Sequence, residues 1–109
     1  MRVLLDECVP KAFGRALAGH TVRTVPQEGW AGMKNGELLA LMSAAGFEIL
    51  LTVDQGIRHQ QNLRSAGVAL VILIATSSDI VDLLPLVPAV VAALATIRPG
   101  DAIEVSGTP

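Results

Sequence analysis

Tyrosine is absent from this chain, and the only aromatic side chains are Phe13, Trp30 and Phe47. A core without aromatic bulk has to be filled by Leu, Val, Ile and Ala. Cysteine is nearly absent too: Cys8 stands alone and cannot close an internal disulfide, the usage expected in a reducing cytoplasm. Positive charge is in short supply, with 8 Lys and Arg against 10 Asp and Glu and a formal net charge of −2. That argues against holding nucleic acid by bulk attraction, though not against an enzyme that touches a few phosphates. A membrane span is missing as well. The most apolar segment, Ile80 to Ile97, has the length of a short span but contains Asp82, Pro85 and Pro88. Met1 leads straight into an apolar run, leaving no room for a signal peptide, so the expected location is the cytoplasm. What the chain does have is apolar content: 51 % of its 109 residues are hydrophobic. That suffices for one packed domain over residues 1–109.

The organising stretch is Met1–Pro10, MRVLLDECVP. Val3, Leu4 and Leu5 form an unbroken apolar run, the mark of a strand buried on both faces in a parallel sheet. Asp6 and Glu7 follow at once. A second run, Ile49 to Val53, is followed by Asp54 in the same way. Open α/β sheets bind ligands at the carboxyl ends of their strands, so parallel pairing would bring Asp6, Glu7 and Asp54 to one rim.

Between these runs the chain alternates strand and helix signals. Pro10 suits a first helical turn, and apolar spacing carries that helix to about Ala18, where Gly19 closes it. His20–Val25 is β-branched and reads as a strand, and Pro26–Lys34 reads as a loop. Asn35 suits a helix N-cap, with Glu37 in the first turn and Leu38, Leu39, Leu41 and Met42 as the apolar face until Gly46. Glu48–Val53 is the third strand, Gln55–Arg64 a short polar helix, and Val68–Ile74 a fourth strand expected at the centre of the sheet. Ser77 or Ser78 is placed to cap a helix over Asp79–Leu84. Pro85 and Pro88 should break it before helix resumes over Ala89–Ile97, and Ala102–Val105 is a last strand. The order βαβαβαβαβ with right-handed crossovers predicts a three-layer α/β/α sandwich on a mainly parallel sheet.

Several carboxylates on one rim repel each other unless protonated or paired with cations. A hard divalent ion, Mg²⁺ or Mn²⁺, is the usual partner for such oxygen ligands. Such an ion can activate a water and stabilise charge on a phosphodiester. Asp6 and Asp54 are the natural direct ligands, with Glu37 and Glu7 as further candidates. The competing reading is that an acid after a strand is a solvated turn residue or a helix cap.

LLDECVP, the helix beginning NGELL, and ILLTVDQGIR resemble a family of short single-domain PIN-like proteins, over Met1 to about Ile74. PIN domains are metal-dependent ribonucleases, and many are the toxin half of toxin–antitoxin pairs. The resemblance implies an acidic Mg²⁺ or Mn²⁺ site at Asp6, Glu37 and Asp54, RNA as substrate and a cognate antitoxin as partner. Two positions depart from the pattern. Gly56 stands where relatives commonly carry a further Asp, and Asn35 stands where an Asp often precedes the helix acid. The thinner acid set makes a catalytically degenerate interaction module the alternative.

Lys11, Lys34, Arg58 and His59 are the candidates for contacting phosphate, against a reading in which they are exposed helix charge. His20 is expected at a strand start without chemistry, and Cys8 as a small buried hydrophobe. Trp30, between Gly29 and Gly32, is either a binding surface or packing over the crevice mouth. The segment Ile80–Ile97 is apolar on more than one face, which suggests a homodimer or an antitoxin contact. A third reading is a receiver-like phosphoacceptor, since Asp6-Glu7, Asp54 and Thr76 follow successive strands. Receivers need a lysine after the fifth strand, and no lysine follows Lys34.

Overall fold

The computed structural model describes all residues except 18, 34, 56–62 and 107–109, together with the side chain of Asn35. Five strands form one all-parallel sheet: β1 (Arg2–Leu5), β2 (Thr21–Thr24), β3 (Ile49–Thr52), β4 (Ala69–Ile74) and β5 (Ala102–Ser106). Their spatial order is β2-β1-β3-β4-β5. Helices α1 (Lys11–Arg15), α2 (Asn35–Ala44), α3 (Leu63–Ala66), α4 (Ile80–Leu83) and α5 (Val87–Leu94) lie on both faces. The expected three-layer α/β sandwich is the architecture found. The sheet's middle position belongs to β3 rather than to the strand at 68–74, which is interior but displaced by one. The expected polar helix over Gln55–Arg64 falls mostly outside the described residues. Its described part, α3, begins at Leu63.

The unbroken apolar runs follow from burial on both faces. Leu4 and Leu50 pack under α2 and α3 with Leu38, Leu39, Met42, Leu63, Leu70 and Ile72. Val3, Leu5, Ile49, Leu51 and Val71 pack on the other face with Phe13, Leu83, Val90 and Leu94. Register ties these together: Val3 pairs with Ile49 and Leu5 with Leu51, so side chains of like parity share a face. Gly14 lets α1 lie close on β2. A Cβ there would stand 2.7 Å from Val22 Cγ1 and 3.1 Å from Leu5 Cδ1.

One connection departs from the expected handedness. From β3 to β4 and from β4 to β5 the chain steps the same way across the sheet. Yet α3 lies on the α2 face and α4 and α5 on the α1 face. The two crossovers therefore have opposite hand, against the strong general preference for one. The physical reason is coverage. With the usual hand throughout, only the five-residue α1 would cover the face carrying Ile49, Leu51, Ala69, Val71 and Leu73. Laying α4–α5 there buries Leu83, Leu86, Val90 and Leu94 completely or nearly so. At about 1.5–3 kcal/mol per buried aliphatic side chain, that burial outweighs a conformational preference in one connection.

The break expected at Pro85 is found, with α4 ending at Leu83, whereas Pro88 does not interrupt the following helix: α5 begins at Val87 rather than Ala89 and ends at Leu94 rather than Ile97. Pro85 opens a 3₁₀ turn over Leu84–Leu86, and Pro88 lies in the first turn of α5. Asp79, not a serine, stands at the N-cap of α4, without a side-chain capping bond. Ser77 supports the turn by accepting the Asp79 N–H at 3.0 Å and donating to Asp82. Among the described residues no helix is long and apolar enough to cross a membrane.

The shared face of α1 and α4 is testable by a double-mutant cycle. Phe13→Leu and Leu83→Ala should be non-additive in urea unfolding by about 0.5–3 kcal/mol. Met42→Ala combined with Leu83→Ala should add within about 0.5 kcal/mol, because those two side chains sit on opposite faces of the sheet.

Candidate functional site

The order β2-β1-β3-β4-β5 has its switch point between β1 and β3, where the chain first turns to one edge and then to the other. Crevices of doubly wound sheets open at the strand carboxyl ends at that point. Asp6 immediately follows β1, and its N–H donates to the Leu51 carbonyl at 2.9 Å, continuing the ladder by one residue. That step sets Asp6 beside Thr52. The Thr52 hydroxyl donates to Asp6 Oδ2 at 2.7 Å and accepts the Asp54 N–H at 3.0 Å. Thr52 is fully buried, Asp6 is half-buried and Asp54 is exposed. The segments that follow β1 and β3 thus meet at one rim, where the buried Thr52 hydroxyl joins the Asp6 carboxylate to the Asp54 backbone.

Glu7 takes a different part. Asp6 Oδ1 accepts the Glu7 N–H at 2.9 Å, and Glu7 Oε2 accepts the Gly32 N–H at 3.3 Å. The Glu7 carboxylate thereby ties the 29–33 loop to the rim. That loop is held from beneath as well. Trp30 donates its N–H to the Val25 carbonyl at 3.1 Å. Its ring meets Phe47 edge-on at 6.1 Å, and the Arg2 guanidinium lies 4.6 Å from the Phe47 ring centroid. Of the two readings of Trp30, packing is the one observed.

Topology sets Glu37 at the rim end of α2, over the face toward which Asp6 and Thr52 project. Its side chain is exposed and makes no hydrogen bond or ion pair with either. Among the described residues, no three His, Cys, Asp or Glu side chains stand together as a ready metal cage. Asp6 offers a carboxylate of the kind that Mg²⁺ or Mn²⁺ takes. Such ions are held by one or two carboxylates and keep several waters or substrate oxygens. Each Asp6 oxygen accepts one hydrogen bond here and retains a further lone pair for a cation.

Lys11 does not join the rim; it lines a cavity between α1 and β2 with Arg15 and His20. Lys34, Arg58 and His59 lie outside the described residues. Cys8 corrects its expectation: it is exposed, not buried. The chain turns outward after Asp6 (Val9 N–H donates to the Asp6 carbonyl at 2.9 Å), and Val9 rather than Cys8 re-enters the core. The Cys8 thiol is nevertheless held above its ordinary pKa. Partial desolvation against the end of β3 is the main cause, and the nearby Asp6 charge adds to it.

Thr52 is not singled out by the sequence. A threonine closing an otherwise apolar strand just before an acid was the available signal for Thr52. No family model matches the chain, and no curated protein or solved structure is significantly similar to it.

Two outcomes are expected. Thr52→Val removes the bridging hydroxyl and should destabilise the fold by about 1–3 kcal/mol in urea, because a hydrogen bond to a charged carboxylate is lost in a buried setting. Thr52→Ser should recover most of that loss. In metal-free protein kept in chelator, alkylation of Cys8 should reach its half-maximal rate at higher pH than in the urea-unfolded chain, since the thiolate is the nucleophile. Asp6→Asn should lower that midpoint by removing the repelling charge. A native midpoint at or below the unfolded one would contradict the assignment.

Proposed function

We propose that this chain is a metal-dependent, PIN-like endoribonuclease, the toxin of a toxin–antitoxin pair. The observation that carries the reading is the Asp6–Thr52–Asp54 arrangement at the β1/β3 switch point. Asp6 and Asp54 would hold Mg²⁺ or Mn²⁺, with Glu37 available at the rim end of α2. The ion supplies activation of a water and stabilisation of charge on the phosphodiester. The chain's own contribution is positional. Thr52 fixes the Asp6 carboxylate through Oδ2, the Glu7 N–H fixes it through Oδ1, and Glu7 holds the 29–33 loop alongside. Two anchored oxygens leave Asp6 little rotational freedom, so less ordering is needed when cation and substrate arrive. The resemblance of LLDECVP, NGELL and ILLTVDQGIR to PIN-like proteins gives the choice of RNA over other phosphodiesters.

A second reading is an interaction module on a degenerate PIN-like fold. It draws on the outer flank of α4–α5, where Val81 is 75 % exposed and Leu84 and Val91 are also exposed. An antitoxin or a second copy of the chain would cover these side chains in either reading. The phosphoacceptor reading has the acids after β1 and β3 but lacks a lysine beyond β5.

The deciding experiment is cleavage of a mixed-sequence single-stranded RNA by wild type, Asp6→Asn and Asp54→Asn, each with Mg²⁺, Mn²⁺ or chelator. Metal-dependent cleavage by wild type and its loss in both variants is the expected result. Metal binding by folded wild-type protein without any cleavage would replace the nuclease with the interaction module.

A further inference from the structure

The helical run from Ile80 to Leu94, made of α4, the 3₁₀ turn and α5, carries two apolar stripes. Only one of them is covered. Leu83, Leu86, Val90 and Leu94 face the sheet and are buried. On the opposite flank Val81, Leu84, Pro88, Val91 and Ala95 are all exposed, Val81 by 75 %, Leu84 by 44 % and Val91 by 42 %. Their spacing alternates three and four residues, the seven-residue repeat with which one helix presents a seam to another. Pro85 and Ala92 border that seam and are exposed as well.

The outer face of a helix packed on a monomer is normally polar. Here the sequence from Leu83 to Ile97 has no charged residue, and Thr96 is its one polar side chain. Charge returns only at the two ends. Asp79 precedes the run and Arg98 follows it, both exposed. The Asp79 carboxylate makes no capping bond to α4, and Arg98 meets Asp101 through its backbone alone. Among the described residues neither side chain has an ion-pair partner.

We infer that this flank is the contact between two copies of the chain, packed helix against helix in antiparallel sense about a two-fold axis near Pro88. Such an axis sets Val81 opposite the partner's Ala95 and Leu84 opposite the partner's Ala92. Bulky side chains of one half thus meet small ones of the other. The same operation brings Asp79 of each copy to the end where the other carries Arg98, giving two opposite-charge pairs. A parallel pairing would instead set Val81 against Val81 and Asp79 beside Asp79. The uncharged centre suits a second copy for a further reason: no like charges meet across the axis.

The run is about 22 Å long at 1.5 Å per residue, so one helix–helix contact stays well under the ~800 Å² per partner of a standard interface. The pair is therefore weak, with a dissociation constant of about 10–100 μM. The inference commits to a second copy a flank that either functional reading leaves to some partner, and it does not depend on RNA cleavage.

The test is sedimentation equilibrium of the full chain from about 5 to about 500 μM, where a reversible monomer–dimer equilibrium is expected. Val91→Glu should weaken dimerisation about tenfold or more by setting a carboxylate in an apolar seam. Val91 is exposed, so this variant should keep the wild-type urea midpoint. Asp79→Arg and Arg98→Asp should each weaken the dimer about threefold, since each sets like charges together at both ends. An equimolar mixture of those two variants should dimerise about as well as wild type, because opposite charges face each other again in the mixed pair. Asp6→Asn should dimerise as wild type does. A chain that stays monomeric at the top of the range overturns the inference and leaves the flank to a different protein. A dimer unchanged by Val91→Glu also overturns it, by placing the contact on another surface. Charge variants that weaken the dimer without rescue on mixing overturn the antiparallel arrangement.

Discussion

A hydroxyl that loses all contact with water at the end of an apolar strand has to find both an acceptor and a donor close by. Thr52 meets that demand with the Asp6 carboxylate on one side and the Asp54 N–H on the other. The neighbouring strands supply only aliphatic side chains at that depth, so the partners must come from the strand ends. This fixes where Asp6 faces. It also joins the two segments that follow β1 and β3, which are 46 residues apart in sequence. A polar contact buried at this level contributes modestly to net stability but is expensive to leave unmade. Its effect is therefore mostly on arrangement: it holds one carboxylate at the crevice of a sheet that is otherwise apolar.

Coverage of the sheet is the second governing demand. A parallel sheet needs helices on both faces, and here the α1 side would be left nearly bare if each connection followed the usual hand. The α4–α5 segment resolves this by crossing to the α1 face. It fills the centre of that face, over β3 and β4, and leaves α1 alone beside the β2 edge. The cavity lined by Lys11, Arg15 and His20 occurs at that thin margin.

Much of this was legible in the residues. The runs VLL and ILLTV, each followed by an acid, pointed to the parallel sheet and to Asp6 and Asp54 following two neighbouring strands. Glu37 in the first turn of α2 and the break at Pro85 were readable from local preferences, but the start of α5 at Val87, with Pro88 in its first turn, was not. The handedness of the last connection was not, because it depends on which face lacks cover and that is a property of the assembled sheet. Cys8 is exposed although its residue type favours burial, because the backbone turns between Asp6 and Val9 and gives the interior position to Val9. Thr52 does not differ by type from any other β-branched strand residue. The apolar strength of the strand at 68–74 does not mark the centre, since any strand with two neighbours and two covered faces reads alike.

The strand order leaves β5 at an edge of the sheet. It pairs with β4 alone, and Ala102, Glu104 and Ser106 are exposed while Val105 is its one buried side chain. Its sequence accordingly alternates, unlike the continuous apolar runs of the inner strands. Detaching β5 uncovers little apolar surface, whereas detaching β1 or β3 dismantles both core clusters at once. The molecule therefore has a graded native state. Amide protons along β5 are expected to exchange with solvent through a local opening, and those of β1 and β3 only when the whole chain unfolds.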